Sequence, residues 1–142
     1  MTEDDISRLV EVWQHRLGLS MWDIKVTFVE QTENNAVCHR STMFERATIE
    51  IGAHLLTDDG QLSDEETLPI PTGEDRPLFV GKCVVHEMLH CVFRDLRDGA
   101  VDSLDDLLLR DVFRLYESRY VRAEEQTIDR LAVVLVEAFE DG

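Results

Sequence analysis

From Leu78 to Leu96 the chain reads as a helix that is apolar nearly all round, with Phe79, Val80, Val84, Val85, Met88, Leu89, Val92 and Phe93 spread about it. A helix of that kind has to be enclosed, because a surface helix keeps one charged side. The remaining residues of a 142-residue chain must therefore supply its walls, and that length suits one domain, 1–142, around one core.

The flanking segments read as those walls. Ile6, Leu9, Val10, Trp13 and Leu17 repeat at the spacing of one helix face over residues 3–17, with Thr2 placed to cap that helix and Gly18 to end it. The period then changes to two. Trp22, Ile24, Val26 and Phe28 alternate with polar residues as a half-buried strand. Val37 to Thr42 forms a second, less regular strand and Ala47 to Ile51 a third, with a hairpin turn at Met43 to Arg46. Residues 57–77 hold all three prolines, two glycines and seven acidic side chains, the composition of a long acidic loop. After the apolar helix, Gly99 is the expected stop and Ser103 the next cap. Leu104, Leu107, Leu108, Val112, Leu115 and Tyr116 then mark one helix face. A last helix over 123–140 turns Ile128, Leu131, Ala132, Leu135 and Phe139 inward. The expected fold class is α+β: an N-terminal helix, a small three-stranded, mostly antiparallel sheet, the buried helix, and C-terminal helices.

The buried helix carries three groups that do not belong in an apolar interior. His86-Glu87-Met88-Leu89-His90 sets two imidazoles four residues apart, on one helix face and one turn apart. Two ring nitrogens so placed can reach one Zn²⁺ at roughly 2.0–2.1 Å each. Glu87 projects about 100° further round the helix. There it meets the water that such a metal activates, and its carboxylate can take the proton as the water attacks a carbonyl. Two core histidines bonded within the fold would give the same five letters, but unpaired polar groups in the most apolar helix of the chain are costly. A metzincin extension would need Gly at position 93 and His at 96, where the chain has Phe93 and Leu96. A third ligand has to come from elsewhere, and Glu124-Glu125-Gln126-Thr127-Ile128-Asp129 offers carboxylates. On a helical wheel Glu124 lies nearer the centre of the apolar stripe.

His86-Glu87-Met88-Leu89-His90 followed by Glu125-x-x-x-Asp129 resembles the gluzincins, zinc peptidases whose third ligand is a glutamate with an aspartate four residues later. The compact layout is similar to that of minigluzincins and of small zinc peptidases of phages and prophages, including those that act on phage repressors. The resemblance implies a zincin-like fold in which His86, His90 and Glu125 bind Zn²⁺. It makes Glu87 the general base of a metallopeptidase and gives Asp129 the task of fixing a ligand histidine by hydrogen bond. Glu124 is the alternative third ligand. The implied substrate is a protein or peptide, and the strand Ala47 to Ile51 is the expected sheet edge over the cleft, where an extended peptide could add. An alternative function is a non-catalytic zinc-binding interaction or regulatory protein with a structural metal. A further ligand at Cys83, three residues before His86, would suit that case. His39, His54, Tyr116 and Tyr120 are lesser candidates, since each is as readily explained by surface or core placement.

Charge narrows the partners. Fourteen Lys and Arg against 30 Asp and Glu give a net charge of −16, which repels nucleic-acid phosphates and anionic membranes. The acidic start, Met1-Thr2-Glu3-Asp4-Asp5, has the wrong sign for a secretory signal, and the longest apolar run, Leu131 to Val136, is far short of a membrane span. Three cysteines, Cys38, Cys83 and Cys91, without Cys-x-x-Cys spacing read as thiols in a reducing compartment, so the expected location is cytoplasmic.

Overall fold

A computed structural model describes residues 1–30, 34–41, 43–56, 75–105 and 110–140. Four α-helices and a three-stranded mixed sheet make an α+β fold: α1 (Glu3–Arg16), β1 (Asp23–Val29), β2 (Ala36–Arg40), β3 (Arg46–Gly52), a 3₁₀ turn (Ala53–Leu55), α2 (Arg76–Val92), α3 (Arg94–Asp105) and α4 (Arg110–Glu140). Most of the acidic segment expected at 57–77 lies outside the described residues, and its end, Arg76 and Pro77, already belongs to the first turn of α2.

α1 starts where its cap predicts. The Asp5 N–H donates to Thr2 Oγ1 at 3.2 Å while the Thr2 N–H donates to Asp5 Oδ2 at 2.8 Å, so two orphan donors are satisfied reciprocally. The chain leaves the helix through Gly18 at φ 72°, a left-handed conformation in which a side chain would be strained. Gln14 then fastens the exit, its Nε2 donating to the carbonyls of Leu19 and Trp22 at 3.1 and 2.7 Å.

The sheet order is β1-β3-β2. The hairpin between β2 and β3 forms as expected, with Ala36 opposite Ile51 and Arg40 opposite Ala47. Ser41 Oγ accepts the Met43 and Phe44 N–H groups in the turn. β1, however, pairs with β3 in parallel, Ile24 beside Ala47 and Phe28 beside Ile51. The sheet is therefore mixed instead of mostly antiparallel, and β3 is its central strand. The expected edge at Ala47–Ile51 is thus corrected: both sides of β3 are occupied, and its buried residues Ala47, Ile49 and Ile51 face the helices.

α2 is the enclosed helix. Val80, Val84, Val85 and Met88 have no exposure, and the helix packs against α1, α4, β2 and β3. It ends at Val92, and Phe93 alone separates it from α3. Gly99 does not stop it but lies inside α3, where a glycine costs roughly 1 kcal/mol against alanine and is tolerated. Arg94, the first residue after this break, is tethered. Its guanidinium donates to Phe44 O at 2.9 Å, pairs with Asp95 at 2.8 Å and lies 4.6 Å from the centre of the Trp22 ring. Ser103 likewise falls within α3 instead of capping a new helix.

α4 runs unbroken for 31 residues, joining what the sequence pattern divides. Its core ridge is Ile128, Ala132 and Val136, at four-residue spacing. Leu131 lies outside that ridge and is exposed, and Val112 and Leu115 are half exposed. Phe139 packs edge-on against Trp13 of α1, with ring centres 5.3 Å apart.

Candidate metal centre

The side of α2 left uncovered by α1 and the sheet carries Cys83, His86, Glu87 and His90. These four line an open cavity of about 970 Å³ between β2 and α4. The facing wall from α4 contributes Glu125, Asp129 and Val133, and β2 contributes Val37, Cys38 and Arg40. Each wall has its own cause. β2 reaches the cavity because it is the sheet edge on that side. Glu125 and Asp129 reach it because they share a helix face one step round from the ridge that docks α4 onto α2.

His86, His90 and Glu125 offer ligand atoms that all lie within 4.8 Å of one another, a group that can hold a metal ion. Glu125 is the hub: one carboxylate oxygen is 3.4 Å from His86 Nε2 and the other 3.6 Å from His90 Nε2. Donors about 2.1 Å from a tetrahedral centre stand roughly 3.4 Å apart, so a set of single donor atoms within 4.8 Å of one another has to draw in to hold an ion. The donor set is also chemically suited. Burial pushes the His90 imidazole below its ordinary value, against the opposing pull of Glu125, and thus favours the neutral ring that a metal requires.

The two glutamates that compete in the sequence separate in space. Glu124 falls four residues before Ile128, on the buried ridge, with its side chain 3% exposed. Neither of its carboxylate oxygens has a hydrogen-bond partner among the described residues. They sit 3.9 Å from His90 Nδ1 and 3.8 Å from Arg97 Nε. Burial raises its proton affinity, an effect only partly offset by Arg97. Glu125, one residue and 100° on, faces the cavity. Asp129 lies on the other side of His86, its Oδ1 2.9 Å from Nδ1, so the ring has a carboxylate on each nitrogen.

Glu87 lines the same cavity without joining the three-residue cluster. Burial pushes its carboxyl up to about 8, with Glu125 adding to the rise, while the Cys38 main-chain N–H donates to it and pulls the other way.

The lesser candidates go elsewhere. His39 pairs with Glu50 at 3.1 Å on the exposed sheet face, and His54 is buried with Nε2 2.8 Å from Asn35 Oδ1. Tyr116 and Tyr120 stack loosely on each other, ring centres 6.3 Å apart, and neither lines the cavity. Cys83 lines it but is not among the clustered ligand atoms. Two groups that sequence reasoning missed are Arg40 and Arg97, which bring positive charge to the cavity wall. Arg40 is held by Asp98 of α3 at 3.4 Å. Their alternation and helix phase place them there, but neither carries a motif.

No protein-family model, curated protein or solved structure matches the chain. Among the described residues, no helix is long and apolar enough to cross a membrane.

Proposed function

We propose that the protein is a zinc-dependent metallopeptidase of the compact gluzincin kind, with His86, His90 and Glu125 as the zinc ligands and Glu87 as the general base. The observation that carries this reading is the convergence of the two α2 histidines on one α4 carboxylate, beside Glu87, in an open cavity. A zinc ion held there supplies Lewis-acid activation of water and of a substrate carbonyl.

The chain's own residues do the rest. Glu87 accepts the proton from the attacking water and can return it to the leaving amine, and a cation beside it favours the ionised carboxylate that the first step needs. The Cys38 N–H holds the carboxylate against β2 while it does so. Asp129 accepts from His86 Nδ1, fixing the ring so that Nε2 points toward Glu125. Arg40 and Arg97 offset the negative charge of the carboxylates around the cavity. The substrate is an extended peptide lying along β2, whose outer edge borders the cavity. The three thiols, none in a disulfide, suit the reducing cytoplasm.

Metal analysis of protein purified without added zinc, paired with peptide hydrolysis by wild type and Glu87→Gln, tests the proposal. The expected result is stoichiometric zinc in both proteins and cleavage only by wild type. Equal cleavage by the variant would sink the assignment of Glu87. Bound zinc with no cleavage by wild type on any peptide would favour the structural-metal alternative.

A further inference from the structure

Cys38 on β2 and Cys91 on α2 meet across the seam between sheet and helix, with their Sγ atoms 3.7 Å apart. They are 53 positions apart in the chain, and neither is in a disulfide. A disulfide bond is about 2.04 Å long, so the sulfurs need to close by about 1.7 Å. β2 has that freedom on one side, being an edge strand whose one strand partner among the described residues is β3. The two thiols differ in access. Cys38 lines the open cavity, whereas Cys91 is buried behind it.

We propose that Cys38 and Cys91 are a redox modification site that forms a reversible disulfide, tying the edge strand to the helix that carries His86, Glu87 and His90. With a low-molecular-weight disulfide such as glutathione disulfide as oxidant, the Cys38 thiolate attacks one sulfur and expels one glutathione thiolate. The Cys91 thiolate then attacks the Cys38 sulfur of the mixed disulfide and expels the second. Two cysteine thiols lose two electrons and two protons in total, and one oxidant molecule becomes two thiols. The bond has a local consequence. Cys38 is the residue whose N–H donates to Glu87, and Cys91 follows His90 directly, so the link joins the backbone on both sides of the cavity floor. The site depends on the thiol contact alone and holds whether or not a metal is bound.

The test incubates the full chain with glutathione disulfide at increasing ratios to reduced glutathione, then blocks the remaining thiols and maps peptides by mass. Expected are a fall from three free thiols to one, a cross-linked Cys38–Cys91 peptide lighter by two hydrogens, and full reversal by dithiothreitol. In Cys91→Ser a glutathione adduct should persist on Cys38. Cross-links that involve Cys83, a persistent Cys38 adduct in wild type with Cys91 still free, or three unreacted thiols would each overturn the proposal. The wild-type peptide map decides the matter even if a variant folds poorly.

Discussion

Replacing Glu87 with glutamine should stabilise the metal-free protein, and the size of the effect follows from its surroundings. Burial raises the carboxyl from 4.5 to about 8. Because the folded value lies above the unfolded one, the folded state holds the proton more tightly. Stability from this group is then full below pH about 4.5 and is lost as pH rises to about 8. At pH 7 the loss amounts to at most about 3 kcal/mol, at roughly 1.36 kcal/mol per tenfold change in proton affinity. Glutamine keeps an acceptor for the Cys38 N–H and never ionises, so it avoids that loss. Urea unfolding of both proteins in excess chelator, at pH 4.5 and at pH 7.5, measures the difference. The comparison also cancels the titration of the other acidic groups that both proteins share. Glu87→Gln should raise the midpoint at the higher pH by roughly 1–2 M and leave it little changed at the lower. An advantage of equal size at both pH values, or none at pH 7.5, would refute burial of charge as its origin. Saturating zinc should shrink the difference, since a nearby cation favours the ionised carboxylate.

Glu125→Gln should weaken zinc binding by more than tenfold in competition with a chromogenic chelator, whereas Glu124→Gln should change it only slightly; the reverse order would move the third ligand by one residue. Asp129→Asn should weaken zinc about 10- to 100-fold, as loss of a carboxylate behind a ligand histidine does. Because Asp129 is largely exposed, its variant should unfold at the wild-type temperature in excess chelator. Ile128→Ala removes a fully buried side chain from the α4 ridge and should cost about 2–5 kcal/mol in chemical denaturation.

The sequence announces those parts of the fold that are governed by near neighbours. Thr2 and Asp5 form their cap within one turn, and the alternation of Ala47, Ile49 and Ile51 is enough to define a buried strand face. The His86–His90 spacing is likewise local, since one helix turn aligns the rings whatever surrounds them. Strand order is different. Nothing in Ile24, Val26 and Phe28 distinguishes a parallel from an antiparallel neighbour, because side-chain alternation is the same in both. Gly99 misled as a helix stop because the break lies six residues earlier, beside Arg94, whose contacts with Phe44 and Trp22 are 50 and 72 positions away in the chain and leave no local pattern. The Cys38–Cys91 contact was invisible for the same reason. On α4 the wheel put Glu124 inward correctly, yet inward meant the core; the cavity lay beside it.

Glu124 and Glu125 are consecutive, yet one is sealed away and the other is open to the cavity. What divides them is the angular phase of α4, and that phase is set by where the ridge lands on α2. Val136 sits where a Cβ on Gly81 would come within 3.3 Å of it, so the two helices are pressed close at that point. Counting from Ile128, the slot four residues back is the buried one and the slot three back is the one that faces the cavity. One residue inserted between Gln126 and Ile128 would therefore swing Glu125 into the buried slot and give its cavity position to Gln126, a neutral side chain. The spacing that defines this site is thus the two residues from Glu125 to Ile128, and the 34 from His90 to Glu125 only have to deliver α4 in register.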